Sequence, residues 1–134
     1  MYILNNINST NIDLRKYGKE KDIEICAVKL NLNASAVCII TVYRSPSGNF
    51  NNFLQSLDTI LQTLYTPVLH FIICGDININ YLVVNEQRKQ LDNLLLLYNL
   101  IGIVDFPRHN HTSSSAIYIY ICIDISHFHD YSFS

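Results

Sequence analysis

The stretch HFIICGDININYL, residues 70–82, decides how this chain reads. Five residues of apolar or weakly polar character lead into Gly75, and the run then breaks into Asp76, Asn78 and Asn80. A short, almost wholly apolar segment such as VLHFIIC suits a strand covered on both faces, central in its sheet. Ligands of open α/β sheets gather beyond the carboxyl ends of strands. An acidic-amide cluster at that place is therefore a candidate site. Gly75 permits an unusual backbone angle or a close backbone approach.

Working outward, the pattern alternates between strands and helices. AVCIITVY, residues 36–43, reads as a strand, and DIEICAVKLNL before it as another, with NLNAS as a hairpin turn between them. Pro46 and Gly48 interrupt the chain. From Phe50 to Tyr65 the apolar residues recur three and four apart, which predicts an amphipathic helix with Asn49 as its N-cap. NEQRKQLDNLLLLYNL predicts a second helix, with Leu91, Leu94, Leu95 and Tyr98 on one face. GIVDF is a short strand ended by Pro107, RHNHTSSS a loop, AIYIYICIDI strand-like and SHFHDYSFS a tail. Residues 1–22 are polar and asparagine-rich, with no assigned element. The whole predicts one α/β domain over residues 1–134, with helices covering a sheet.

Composition narrows the function. Of 134 residues, 49% are hydrophobic and 15% charged, which fits a packed interior and argues against disorder. The net charge of -2 gives no global basic field, so nucleic acid would have to meet a local groove. The four cysteines, Cys26, Cys38, Cys74 and Cys122, form no C-x-x-C pair and read as free, buried thiols of a reducing compartment. No basic segment followed by an apolar core marks a signal peptide, and no apolar run reaches the roughly 18 to 20 residues that span a bilayer. An intracellular protein without membrane association is the expectation.

Asp76 and Asn78 stand two apart, which in an extended segment puts both side chains on one side. An aspartate there can take a proton or orient water while the amide fixes a phosphate oxygen. A plainer reading has Asp76 capping a turn while Asn78 and Asn80 tolerate left-handed backbone. Tyr43-Arg44 has the same strand-end placement. An arginine fork suits phosphate and a tyrosine hydroxyl can donate to it, but a solvated arginine beside an ordinary tyrosine fits equally. His109 with His111 and His127 with His129 imitate a zinc site only in letter, being untied by any other ligand. No phosphate-loop, dinucleotide or hydrolase-elbow motif is present in the sequence.

Three segments together, ITVYRSPSGNFNNFLQSLDTIL, FIICGDININYL and KQLDNLLLLYNLIGIVDFPRHNHTSSSAI, resemble the endonuclease domain of non-LTR (LINE-like) retrotransposons, a member of the endonuclease/exonuclease/phosphatase superfamily. The resemblance runs from about Ile23 to Ile117 and leaves a divergent tail over 118–134. It implies part of a four-layer αββα sandwich and magnesium-dependent hydrolysis of a DNA phosphodiester, a nick that primes reverse transcription, and so a nuclear location for a working enzyme. Carried over by motif, Asp76 matches the aspartate that orients or deprotonates water, Asn78 the asparagine on the scissile phosphate, and Tyr43 the tyrosine that hydrogen-bonds it. Arg44 adjoins that tyrosine as a further substrate-binding candidate, and the Thr112 to Ser115 hydroxyls, Ser114 among them, fall where the family touches substrate DNA. The early metal-holding glutamate and the closing S-D-H element have no counterpart, and Tyr118 stands where the family has aspartate. Glu20 and Glu24 fall in the region after that glutamate, and Asp124 comes late. Positioned acid–base groups contribute about 10²- to 10⁴-fold each. The resemblance therefore implies Mg2+ as cofactor with its main ligand missing, and DNA as partner with hydrolysis impaired. The alternative is an inactive α/β module that at most binds nucleic acid or a protein.

Overall fold

The computed structural model describes residues 8–33, 35–66, 69–79, 84–103, 107–108 and 117–124. Its elements are β1 (Asn8–Ile12), β2 (Glu24–Asn31), β3 (Ala36–Tyr43), α1 (Phe50–Leu64), β4 (Leu69–Asp76), α2 (Glu86–Leu96), β5 (Leu100–Ile103), β6 (Pro107–Arg108) and β7 (Ile117–Asp124). A 3-10 turn over Arg15–Tyr17 follows β1. The main path of the sheet runs β1-β2-β3-β4-β7-β5, with β6 on β7. β4 is central, as its apolar run requires.

The hairpin pairs β2 with β3 antiparallel, and α1 then carries the chain over so that β4 lies parallel to β3. Such a parallel pair needs a crossover long enough to hold a helix. Side chains alternate across a strand, so Cys38, Ile40 and Val42 of β3 and Phe71 and Ile73 of β4 turn to one face and are buried there. Phe53, Leu57, Ile60 and Leu61 of α1 and Leu91 and Leu95 of α2 join them in one core. Both helices thus share a single face of the sheet. The described residues make one helical layer on one sheet, two of the four layers that the resemblance implies.

The helix ends follow their capping chemistry. Asn49 Oδ1 accepts from the Asn52 backbone N–H at 2.9 Å at the start of α1, and Asn85 Oδ1 takes the Arg88 N–H at 2.8 Å at the start of α2. After α2 the amides of Leu97, Tyr98 and Asn99 bond back three residues. Asn99 is left-handed at φ 59°, a common way for asparagine to end a helix. The chain then enters β5 at Leu100.

Four differences from the sequence reading stand out. The polar first segment contains β1, whose Asn8, Ser9, Thr10 and Asn11 side chains are exposed; backbone pairing with β2 holds it, and no apolar alternation announces that. β4 runs on through Gly75 and Asp76 rather than stopping at Cys74. The strand expected at GIVDF starts two residues early, because the turn at Asn99 releases the chain sooner; residues 104–106 lie outside the described part. Cys26 is exposed rather than buried, while Cys38 is buried and Cys74 lies between, all three free; Cys26 falls on the sheet face away from the helices. Among the described residues no helix is long and apolar enough to cross a membrane.

Candidate functional site at the ends of two parallel strands

β3 and β4 end level with one another. Their register pairs Tyr43 with Asp76, and β2 adds Glu24 opposite Tyr43. Alternation places Glu24, Tyr43 and Asp76 in one row on the face opposite the helices. Tyr43 is 40% exposed, so its ring and hydroxyl are open to solvent. Asp76 is half-buried. Behind it, Gly75 holds φ at 142°, and a Cβ there would stand 1.8 Å from the Val42 carbonyl oxygen. Only glycine lets β3 and β4 close to that distance at their ends.

Past Asp76 the strand stops. Ile77 and Ile79 turn inward and are almost fully buried. Asn78 between them is left-handed at φ 52°. Its backbone N–H donates to Asp76 Oδ1 at 3.1 Å, and its side-chain Nδ2 donates to the Arg44 carbonyl oxygen. The site segment is therefore an aspartate-closed turn. The extended pairing of Asp76 with Asn78 expected from their spacing is not the observed one. The two side chains still meet, but through the turn. One hydrogen of the Asn78 amide is committed to Arg44, and the second meets no acceptor among the described residues.

Arg44 differs most from expectation. It is 4% exposed. Its guanidinium donates to three carbonyls, from Nε to Ile77 at 2.8 Å, from Nη2 to Asn78 at 2.8 Å and from Nη1 to Gly48 at 3.0 Å. Its backbone N–H donates to the Asp76 carbonyl at 2.9 Å, and the Phe50 ring centroid lies 5.4 Å from Cζ. Burial pulls the guanidinium pKa down, and the charges of Asp22 and Asp76 oppose that. The solvated or phosphate-facing fork of the sequence reading is instead turned inward onto the backbone.

Asp22 ties the site to the helix. Its carboxylate accepts from the Asn49 backbone N–H at 2.7 Å and from Asn52 Nδ2 at 2.9 Å, and these bonds hold its pKa below the usual carboxylate value. Next to it, Gly48 packs on Lys21 so closely that a Cβ would meet the Lys21 carbonyl oxygen at 2.1 Å. The sequence offered no sign of Asp22. The position of Glu24 was legible, because counting back from the hairpin turn sets it opposite Tyr43.

Thr112 and Ser114 lie outside the described residues, as do Asn80 and the four paired histidines. Glu20 is exposed near the start of β2. Asp124 is five positions along β7 from Ile119, the partner of Asp76, or about 16 Å away. Position 118, where the resemblance expects aspartate, is by contrast next to that partner in β7. No group of three or more His, Cys, Asp or Glu side chains comes together among the described residues. Asp76 and Glu24 are separated by two strand spacings, about 10 Å between Cα atoms. Magnesium wants near-octahedral oxygens with one or two carboxylates close to hand. The described residues do not fit a resident Mg2+ ion, and no chemical step is derived through one.

A family model described as endonuclease-reverse transcriptase matches residues 37–126. No curated protein matches the sequence. Among solved structures, the endonuclease domain of TRAS1, a telomere-specific non-LTR retrotransposon, is similar with a TM-score of 0.66 at 15% identity, over 87% of this chain and 54% of that one. D. rerio TDP2 humanized by 14 mutations is similar with a TM-score of 0.57 at 11% identity, over 87% of this chain and 50% of its own. D. rerio TDP2 complexed with a single-strand DNA product gives 0.54 at 12%, over 87% and 52%. The chain spans about half the length of the solved structures it matches.

Proposed function

The chain belongs to the endonuclease-reverse transcriptase family, its fold is that of the endonuclease/exonuclease/phosphatase type, and from this premise we propose that it carries the phosphate-recognising half of a DNA-nicking site, with hydrolysis impaired. The observation that carries this reading is the row of Tyr43 and Asp76 at two parallel strand ends, with Asn78 folded back by the turn so that its backbone N–H meets Asp76 and its side-chain amide the Arg44 carbonyl.

In this reading the Tyr43 hydroxyl and the second Asn78 amide hydrogen donate to phosphate oxygens, where they stabilise charge that grows as water attacks. Asp76 orients that water and takes its proton. Hydrolysis adds one water, breaks one P–O ester bond, and needs a proton for the departing alkoxide. Asp76 alone can hold the first proton, and no described residue is placed to supply the second. Thr112 and Ser114 belong to this proposal as DNA contacts, and the nucleus as its place of action. The second reading, a silent module that binds nucleic acid without cutting it, is favoured by the absence of a ligand cluster among the described residues.

A nicking assay on supercoiled plasmid tests both. Magnesium-dependent nicking that is lost in Asp76→Ala supports the nuclease. Folded protein that retards plasmid but never nicks it supports the binding module. Folded protein that does neither removes both readings.

A further inference from the structure

We propose that Arg44 is the positioning residue of this site, a buried fork that sets the Asp76–Asn78 turn from inside the protein and does not touch substrate. The assignment deepens the functional reading above, yet its geometric content stands apart from any activity.

Arg44 bonds to every residue of the turn. Its backbone N–H holds the Asp76 carbonyl, Nε holds that of Ile77, and Nη2 that of Asn78. Its own carbonyl takes the Asn78 side-chain amide. The fifth bond, from Nη1 to Gly48, anchors the fork in the segment that starts α1. A left-handed asparagine and an inward carbonyl are both unfavourable in isolation. Here one planar cation satisfies three carbonyls at once. Lysine cannot copy this, since its ammonium is a point charge without a fork. The charge itself is met by Asp22 and Asp76 and by the Phe50 ring. Each of these contacts lies on the protein side, which leaves Tyr43, and not Arg44, as the strand-end group open to solvent.

Hydrogen exchange in the whole chain, followed by NMR, gives the test. In the unmodified protein the Arg44 Nε proton should exchange at least about tenfold more slowly than that of free arginine. In Arg44→Lys the Asn78 amide, which donates to Asp76, should exchange about tenfold faster, while mid-strand amides of Ile40 and Ile73 stay within about twofold. An Nε proton as fast as that of free arginine would overturn the proposal, and this measurement needs no variant to fold. An equal rise at Ile40, Ile73 and Asn78 would also overturn it, since that marks general loosening. Where the unmodified protein nicks plasmid, Arg44→Lys should lower kcat about tenfold or more with KM within about threefold. A raised KM with unchanged kcat and unchanged exchange would instead make Arg44 a phosphate ligand. Absence of nicking in the unmodified protein sinks the nuclease reading alone, because the exchange measurements still decide the role of Arg44.

Discussion

The helix-facing side of the sheet and the strand-end turn are held by different physics. The first is a layer of aliphatic and aromatic side chains from β3, β4, α1 and α2, each touching several others. Its stability is spread over many contacts, and no single geometry is required of any one. The second consists of a few polar groups whose positions are dictated by backbone: a glycine that permits close approach, a left-handed asparagine, and one buried arginine. A core of the first kind degrades gradually under substitution. A turn of the second kind is right or absent.

The largest effect is expected where the two regions join. Gly75→Ala puts a methyl group 1.8 Å from the Val42 carbonyl at a backbone angle that side chains rarely adopt. Neither strand can retreat without opening the core face beneath. We expect a loss of at least about 4 kcal/mol, a large share of an ordinary domain's stability of about 5 to 15 kcal/mol. Circular dichroism of the purified variant reads this directly, and a native spectrum with near-native urea midpoint would show that the strand ends yield.

Leu57→Ala tests the other side of the comparison. Leu57 is 2% exposed within α1. Truncation should cost about 2 to 5 kcal/mol, set by how far the core collapses onto the gap. The contrast predicts that Leu57→Ala leaves exchange protection of the Asn78 amide close to that of the unmodified protein once global stability is allowed for, whereas Arg44→Lys does the reverse.

Tyr98 gives a smaller and pH-dependent effect inside the core region. Its hydroxyl donates to Asp58, bonding a carboxylate oxygen closely and standing 3.3 Å from the backbone carbonyl. Burial first, and the Asp58 bond second, push its pKa up to about 12. A pKa raised above the unfolded value of about 10 means stability that is complete below pH 10 and lost as pH rises towards 12. Urea titrations across that window should show the decline, and Tyr98→Phe should abolish its Tyr98 share while costing about 1 kcal/mol at neutral pH.

Much of the core region was legible from spacing alone. The period over Phe50–Tyr65 gave α1 to within a residue, Asn49 its cap, and the apolar run AVCIITVY the bounds of β3. Periodicity reports on burial, so it found what burial holds. β1 escaped because four of its five side chains face solvent and backbone pairing with β2 holds it. At the site, residue types were legible and their geometry was not. Asp76, Asn78 and Tyr43 were marked by their place at strand ends and by family resemblance. That Asn78 turns left-handed, and that Arg44 faces inward, depends on contacts between segments 33 and 34 positions apart, which no local pattern records. The plainer reading of Asn78 as a turn former described its backbone correctly, and its side-chain amide is held on the Arg44 carbonyl.

Asn49→Ala should give the smallest effect and probes the seam between the regions. The Asn49 side chain caps α1 through the Asn52 N–H, its backbone N–H is taken by Asp22, and the carbonyl of the preceding Gly48 is taken by Arg44. Alanine removes only the first of these, because the other two use backbone atoms. Loss of an asparagine cap costs about 1 kcal/mol. If the regions are as separate as their physics suggests, the cost appears as fraying of the first turn of α1 and a lower urea midpoint, with the Arg44 Nε proton still protected. If that proton loses its protection as well, the cap and the fork form one unit. The site would then be braced through the helix start, and not by Arg44 alone.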